Sequence, residues 1–465
     1  MRIFTRKAPA AQAQADVQTQ NPPMFTRRDL LRLFIPLVIE QTLAITIGMA
    51  DTVMVTTVGE AAVSGISLVD SINILLIQIF AALATGGSII AAQYIGRKDT
   101  ENGCTAAKQL LYATTTLALL FMAVALLFNR PILHGVFGNI DADVMAHAET
   151  YFWLSAVSYP FLAVYNGGAA LFRAMGNSRI SLFTSVLMNI VNISGNAILI
   201  YGFQWGVAGA GTATLLSRAL GAVIMMVLIV KPSNIIYVKK LFKPEFHFAM
   251  IKNILKLAVP NGLENGMFQV GKLIVQGLIS TFGTAAIAAN AIGNSLSSMA
   301  NIPGAAMGLG LVTVVGQCVG ARDYAQAQKY TKKIMAVTYL SLGAFNVLMF
   351  LVTTPMVGLF HLSEEAARQA VEILRLFNVS ALIVWPASFT LPNALRAAGD
   401  AKFTMTVSML SMWIFRVGFS YILGQYFGMK LVGVWLAMII DWVVRASFFI
   451  FRYVRGRWKV IRVID

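Results

Sequence analysis

The chain has 465 residues, of which 57% are hydrophobic and only 12% charged, against a charged share of about 25% in soluble domains. This composition excludes a soluble globular protein. It also argues against reading the net charge of +16 as a nucleic-acid surface, because the basic residues fall in alternate loops instead of forming one patch.

The first segment, 1–29, has no apolar core of signal-peptide length and reads as a disordered cytoplasmic tail. Twelve apolar runs follow, over about 33–56, 63–92, 108–128, 150–171, 180–201, 207–230, 255–280, 286–317, 333–354, 371–392, 403–424 and 431–452. Each approaches the ~20 residues needed to cross hydrocarbon. The expected fold class is an all-α polytopic membrane protein with twelve transmembrane helices. The expected units are an N-lobe over 30–230, a cytoplasmic linker over 231–253, a C-lobe over 254–453 and a basic cytoplasmic tail over 454–465. Arg27, Arg28, Arg97, Lys98, Lys239, Lys240, Lys332, Lys333, Arg455 and Arg457 share one side, whereas Asp141, Asp143, Glu149, Glu364 and Glu365 gather on the other. The positive-inside rule then places both termini in the cytoplasm. Cys104 and Cys318 both fall on the cytoplasmic side, so no disulfide is implied.

Helix 1 carries Glu40 and Asp51 within an apolar run. A charged Asp at mid-bilayer costs ~2.5–3.5 kcal/mol, so it should face the protein interior or water, protonated or partnered. The two acids are eleven residues apart, nearly the same face of a helix. Helix 2 offers Asp70, Asn73 and Gln78, and helix 5 sets Asn189, Asn192 and Asn196 on one face. Amide oxygens beside a carboxylate can ligate Na⁺ or share a proton; equally, an Asn stripe can serve as interhelical glue. In helix 7, Glu264 lies eight residues before Lys272, and it either binds a cationic substrate or neutralises that lysine. Arg218, Arg416 and Arg445 also fall within spans, and Asp441, four residues before Arg445, suggests a structural ion pair. His134, His147, His247 and His361 are scattered, and neither a phosphate-binding lysine loop nor a nucleophile elbow occurs. No enzyme and no ATP-driven pump is expected.

Sliding the chain by 224 residues aligns Pro36–Asp99 with Pro260–Asp323 without a gap, at 13 identities in 64 positions. Glu40 matches Glu264, Gly86 matches Gly310, Gln93 matches Gln317, and Gly96 matches Gly320. "LFRAMGNSR" (171–179) likewise pairs with "ALRAAGDAK" (394–402). Six helices followed by six similar helices in the same orientation is a layout of secondary transporters.

The stretches "MADTVMVTTVGEAAVSGISLVD" (49–70), "AAQYIGRKD" (91–99), "FRAMGNSR" (172–179), "NIVNISGNAILIYG" (189–202), "PNGLENGMFQVGK" (260–272), "FGTAAIAANAI" (282–292) and "LRAAGDAKF" (395–403) together resemble the multidrug and toxic compound extrusion (MATE) family. The resemblance implies two six-helix lobes around a cavity in the cell inner membrane. It also implies export of cationic or amphipathic drug-like molecules in exchange for H⁺ or Na⁺, with no other cofactor. The family's first-helix aspartate matches Asp51. Its N-lobe cation site takes an Asn and, four residues on, an Asp from helix 5, with a Thr from helix 6; the matching positions are Asn192, Asn196 and Thr214. Asn196 replaces the expected Asp, so Na⁺, if used, would sit at Asp51, Asn192 and Asn196. The family's C-lobe acids do not match here, because one falls a turn beyond Glu264 and the other is absent around Trp385. Glu40, Glu264, Asp70, Asn73 and Gln78 remain substrate or coupling candidates on their own chemistry. A monomer without a nucleic-acid partner is expected. The alternatives are a lipid-linked oligosaccharide flippase, which would have fourteen helices and an Arg- or Lys-rich cavity, and a major facilitator carrier.

Overall fold

The computed structural model describes residues 22–138, 140–239, 243 and 245–464, with the side chains of residues 47 and 49–52 outside the description. The first half contains α1 (Arg27–Thr56), α2 (Glu60–Gly96), α3 (Thr100–Leu127), the short α4 (Asn129–Phe137), α5 (Ala142–Ala174), α6 (Ser178–Gly202) and α7 (Gly206–Ile229). The second contains α8 (Phe248–Ser280), α9 (Thr284–Ala300), α10 (Ile302–Gly320), α11 (Tyr324–Gly358), α12 (Glu364–Ala397), α13 (Ala401–Tyr426) and α14 (Lys430–Val454). With α9 and α10 taken as one interrupted span and α4 as a surface turn, this is the twelve-helix layout. Among the described residues nine helices are apolar enough to cross a membrane by composition alone. The other three, α1, α5 and α8, are 30, 33 and 33 residues long, enough to cross the hydrocarbon at 1.5 Å per residue.

The expected single span over 286–317 is broken at Asn301. Pro303 lies in the first turn of α10, where its missing N–H costs nothing, so the helix restarts there and does not continue. The repeat-related stretch of α2 has no proline and runs unbroken over 37 residues.

The described residues that flank the first and last helices pack against the bundle. The Met24 N–H donates to Gln326 Oε1 at 2.8 Å, and the Phe25 N–H donates to the Tyr330 hydroxyl at 3.0 Å. Residues 22–26 are therefore docked on α11. Thr26 and Asp29 cap α1 reciprocally, and the Thr26 hydrogen bonds hold the Asp29 carboxyl below its usual range. After α14, Trp458 is 1% exposed and stacks on Tyr453. The segment expected to be linker or tail also yields ground to helix, since α1 begins at Arg27 and α8 at Phe248.

The repeat explains the turns that follow α2 and α10. Lys98 and Arg322 take left-handed backbone at φ 63 and 58, which ends one helix. Asp99 and Asp323 then cap the next by accepting from the N–H groups of Asn102 and Gln326.

On this same face the lobes touch backbone to backbone. A Cβ added to Gly96 would lie 1.9 Å from the Gln317 carbonyl oxygen, and one on Gly320 would lie 1.9 Å from that of Gln93. Gly86 meets the α8 backbone at Ile254 and Ala258. Gln93 Nε2 donates to the Ala397 carbonyl at 2.8 Å, Gln317 Nε2 to that of Ala174 at 2.7 Å, and Thr313 Oγ1 to that of Arg173 at 3.0 Å. These contacts all lie in the helix halves nearest the termini, so the structure is sealed on the terminus-bearing face.

Candidate functional site

Two cavities lie in the opposite halves of the helices. The first, of about 340 Å³, is inside the N-lobe, and its lining includes Gly48, Asp70, Tyr151, Asn189, Asn192, Asn196, Thr214 and Arg218. Asp70 lies about 15 Å along α2 from that helix's start, at 1.5 Å per residue. Asn192 Nδ2 donates to Thr214 Oγ1 at 3.3 Å, and Asn196 Nδ2 to Asn192 Oδ1 at 3.5 Å. The predicted trio Asn192, Asn196 and Thr214 therefore does assemble, across α6 and α7. Just beyond Asn196, α6 widens into a π-helical turn over Ala197–Gly202, a distortion that recurs at functional sites.

The Asp51 side chain lies outside the described residues. Its backbone is helical, and the register of α1 puts position 51 on the face that also carries Gly48 and Val55, both of which line the cavity.

Asp70 and Asn73 are brought together by a second network. Asn73 Nδ2 donates to Asp70 Oδ1 at 3.2 Å and to Ser155 Oγ at 3.3 Å, while Tyr159 donates its hydroxyl proton to Asn73 Oδ1 at 2.9 Å. Tyr151 hydrogen-bonds Asp70, and Arg218 Nη1 donates to Ser158 Oγ at 2.7 Å. The α5 residues that hold this network, Tyr151, Ser155, Ser158 and Tyr159, were not anticipated from sequence. A clue was available, since four hydroxyl groups recur at helical spacing in a span that needs none for crossing. Gln78 is half-buried and is not among the residues lining either cavity.

Glu40 and Glu264 stand apart from the N-lobe cavity and are placed alike. Glu40, 8% exposed, accepts from Ser181 Oγ at 2.8 Å and pairs with Arg173 Nη1 at 3.5 Å. Glu264, 6% exposed, pairs with Arg396 Nη2 at 2.7 Å and Arg445 Nη2 at 3.5 Å. Among the described residues the carboxylate of Glu264 is paired with these two arginines and not with Lys272. Arg445 turns to Glu264 and not to Asp441, which instead accepts from Ser411 Oγ. The signal for these pairs was the repeat itself, in which Glu40 and Glu264, like Arg173 and Arg396, are equivalent positions.

The second cavity, of about 370 Å³, lies between the C-lobe and α2. Lys272, Arg416, Gln276, Asn290 and Trp435 line it from the C-lobe, with Ser71, Ile74 and Leu75 opposite. Trp435 Nε1 donates to Asn290 Oδ1 at 3.1 Å and Asn290 Nδ2 to Gln276 Oε1 at 2.8 Å. Among the described residues no group of three or more His, Cys, Asp and Glu side chains is placed to hold a metal ion.

The family model MatE matches the chain twice, over residues 36–198 and 260–422, once in each half. The uncharacterized transporter YisQ of Bacillus subtilis is 28% identical over 442 residues, covering 93% of this chain and 94% of that protein. The probable multidrug resistance protein NorM of Thermotoga maritima is 25% identical over 446 residues, covering 93% of each. Among solved structures, an outward-facing multidrug resistance MATE family transporter of the MOP superfamily superposes with a TM-score of 0.86 at 20% identity, over 92% of this chain and 95% of that one.

Proposed function

Because the chain belongs to the MatE family of multidrug efflux transporters, we propose that it is an antiporter that exports cationic or amphipathic small molecules in exchange for H⁺ or Na⁺. The coupling ion enters the N-lobe cavity. The observation that carries this reading is the gathering of Asp70, Asn192, Asn196 and Thr214 around one cavity, beside position 51 of α1. A carboxylate held there by polar neighbours gains a proton or a cation more readily than it stays bare, because the low dielectric disfavours an isolated charge.

The basic residues on the sealed face support its assignment as cytoplasmic in the inner membrane, which makes this conformation outward-facing and gives external ions access to the N-lobe cavity. Ion binding rearranges the contacts of Asn192 and Asn196, the lobes re-pack, and the opposite face opens for substrate. Twelve helices, where a lipid-linked oligosaccharide flippase would have fourteen, support the exporter over that alternative.

Proteoliposomes given a pH gradient and a Na⁺ gradient separately test the reading through efflux of a fluorescent organic cation. One gradient is expected to drive export, and Asp51→Asn is expected to abolish that drive while the purified protein keeps its melting temperature. Full gradient-driven export by Asp51→Asn would overturn the assignment of Asp51, and export indifferent to both gradients would overturn antiport.

A further inference from the structure

We propose that the cavity between the C-lobe and α2 binds the anionic group of an amphipathic substrate. The proposal rests on the exporter reading and adds a substrate class to it: aromatic carboxylic acids and zwitterions as well as cations.

Lys272 Nζ and the Arg416 guanidinium stand 5.6 and 5.1 Å from the centroid of the same ring, Phe268. Arg416 is 9% exposed, and it lies on a π-helical turn of α13, Met412–Gly418. Among the described residues neither cation has a carboxylate within ion-pair distance. Asp441 acts on Arg416 only through space, and Arg445 opposes it with like charge. Two like charges near one aromatic ring repel each other at low dielectric. The ring's quadrupole attracts each of them weakly. A visiting anion would relieve that repulsion and could accept hydrogen bonds from both donors. Trp435, Ile74 and Leu75 supply apolar wall for an aromatic body.

The repeat strengthens this reading. Gly48 of the N-lobe cavity corresponds to Lys272, Asp51 to Val275 and Asp70 to Asn294. At these three positions the C-lobe has two fewer acids and one more base than the N-lobe, whose cavity also carries Arg218 beside Asp70. A surface that merely tolerates lipid would need no such exchange.

The test is equilibrium binding of a fluorescent naphthyl carboxylate and its matched carboxamide to the full-length protein in nanodiscs, without any gradient. Wild-type protein is expected to prefer the carboxylate by tenfold or more. Lys272→Gln should erase most of that preference while leaving carboxamide affinity unchanged, and Lys272→Arg should retain it. Equal affinities in the wild type, or equal losses for both probes in Lys272→Gln, would overturn the proposal. The preference should be the same in phosphatidylcholine and phosphatidylglycerol nanodiscs; its loss in phosphatidylglycerol alone would assign the site to lipid head groups and also overturn it. Since no gradient enters the measurement, failure here leaves coupled cation export standing, and failure of coupling leaves this preference standing.

Discussion

Gln93 of α2 reaches across the lobe boundary to the carbonyl of Ala397 at the end of α12. Its repeat-equivalent, Gln317, makes the reciprocal bond to Ala174. These two bonds, together with Gly96 and Gly320 pressed against the opposite backbone, form a two-fold latch. In a membrane interior small residues let backbones approach, and amide side chains then find partners on the neighbouring helix. Alternating access requires that latch to break.

Crosslinking tests this directly. A Cβ on Gly316 would lie 3.0 Å from the Ala92 Cβ, near the ~3.5–4.5 Å of a disulfide. With Cys104 and Cys318 replaced, the Ala92→Cys, Gly316→Cys pair is expected to lose export on oxidation and regain it with dithiothreitol. Unimpaired export by fully oxidised protein would show that the lobes need not part here.

Gly96→Ala should act in the opposite sense. Its methyl group cannot share space with the Gln317 carbonyl, so the sealed state loses stability relative to the state open on the terminus-bearing face. Labelling of Ala92→Cys, a fully buried position, by an aqueous maleimide should rise severalfold when Gly96→Ala is added. Unchanged labelling would show that the backbone yields without opening.

The two buried glutamates predict an asymmetric response. Removing one partner of a buried ion pair typically costs about 3–5 kcal/mol because the other charge is stranded. Glu264→Gln strands both Arg396 and Arg445, whereas Glu40→Gln strands Arg173 alone. Thermal unfolding in detergent should show the larger loss for Glu264→Gln. Equal losses would mean that Arg445 draws little from that carboxylate.

Tyr159→Phe isolates the network behind Asp70. It removes the hydroxyl that donates to Asn73 Oδ1 and leaves a buried acceptor unsatisfied, at a cost of about 1–3 kcal/mol. If Asn73 positions Asp70, the pH dependence of export should shift in Tyr159→Phe. A lower melting temperature with an unmoved pH profile would give the tyrosine a purely structural role.

Much of this was legible in the sequence because hydrophobic length and repeat spacing are direct consequences of crossing a bilayer twelve times. The Asn192, Asn196 and Thr214 grouping was also legible, since helical periodicity and the family resemblance agree there. The fate of Glu264 was not. Its partners, Arg396 and Arg445, are 132 and 181 residues away, and local spacing offered only Lys272. The docking of residues 22–26 was equally hidden, because a short stretch that opens on two prolines carries no periodicity to announce that it will find Gln326 and Tyr330. Pro303 is a residue that permits a kink within a span, but an apolar run of ample length gave no reason to end the helix there.

The interruption at Asn301 leaves the two halves mechanically unequal. A continuous α2 stiffens one wall of the N-lobe, whereas α9, which carries Asn290 into the C-lobe cavity, meets α10 at Asn301, where Pro303 removes one backbone donor from the hydrogen-bond ladder. That gives α9 a joint its counterpart lacks. On the proposed exporter reading, adjustment to cargoes of differing bulk should therefore fall on the second half of the molecule, with the first keeping its shape for the proposed coupling ion.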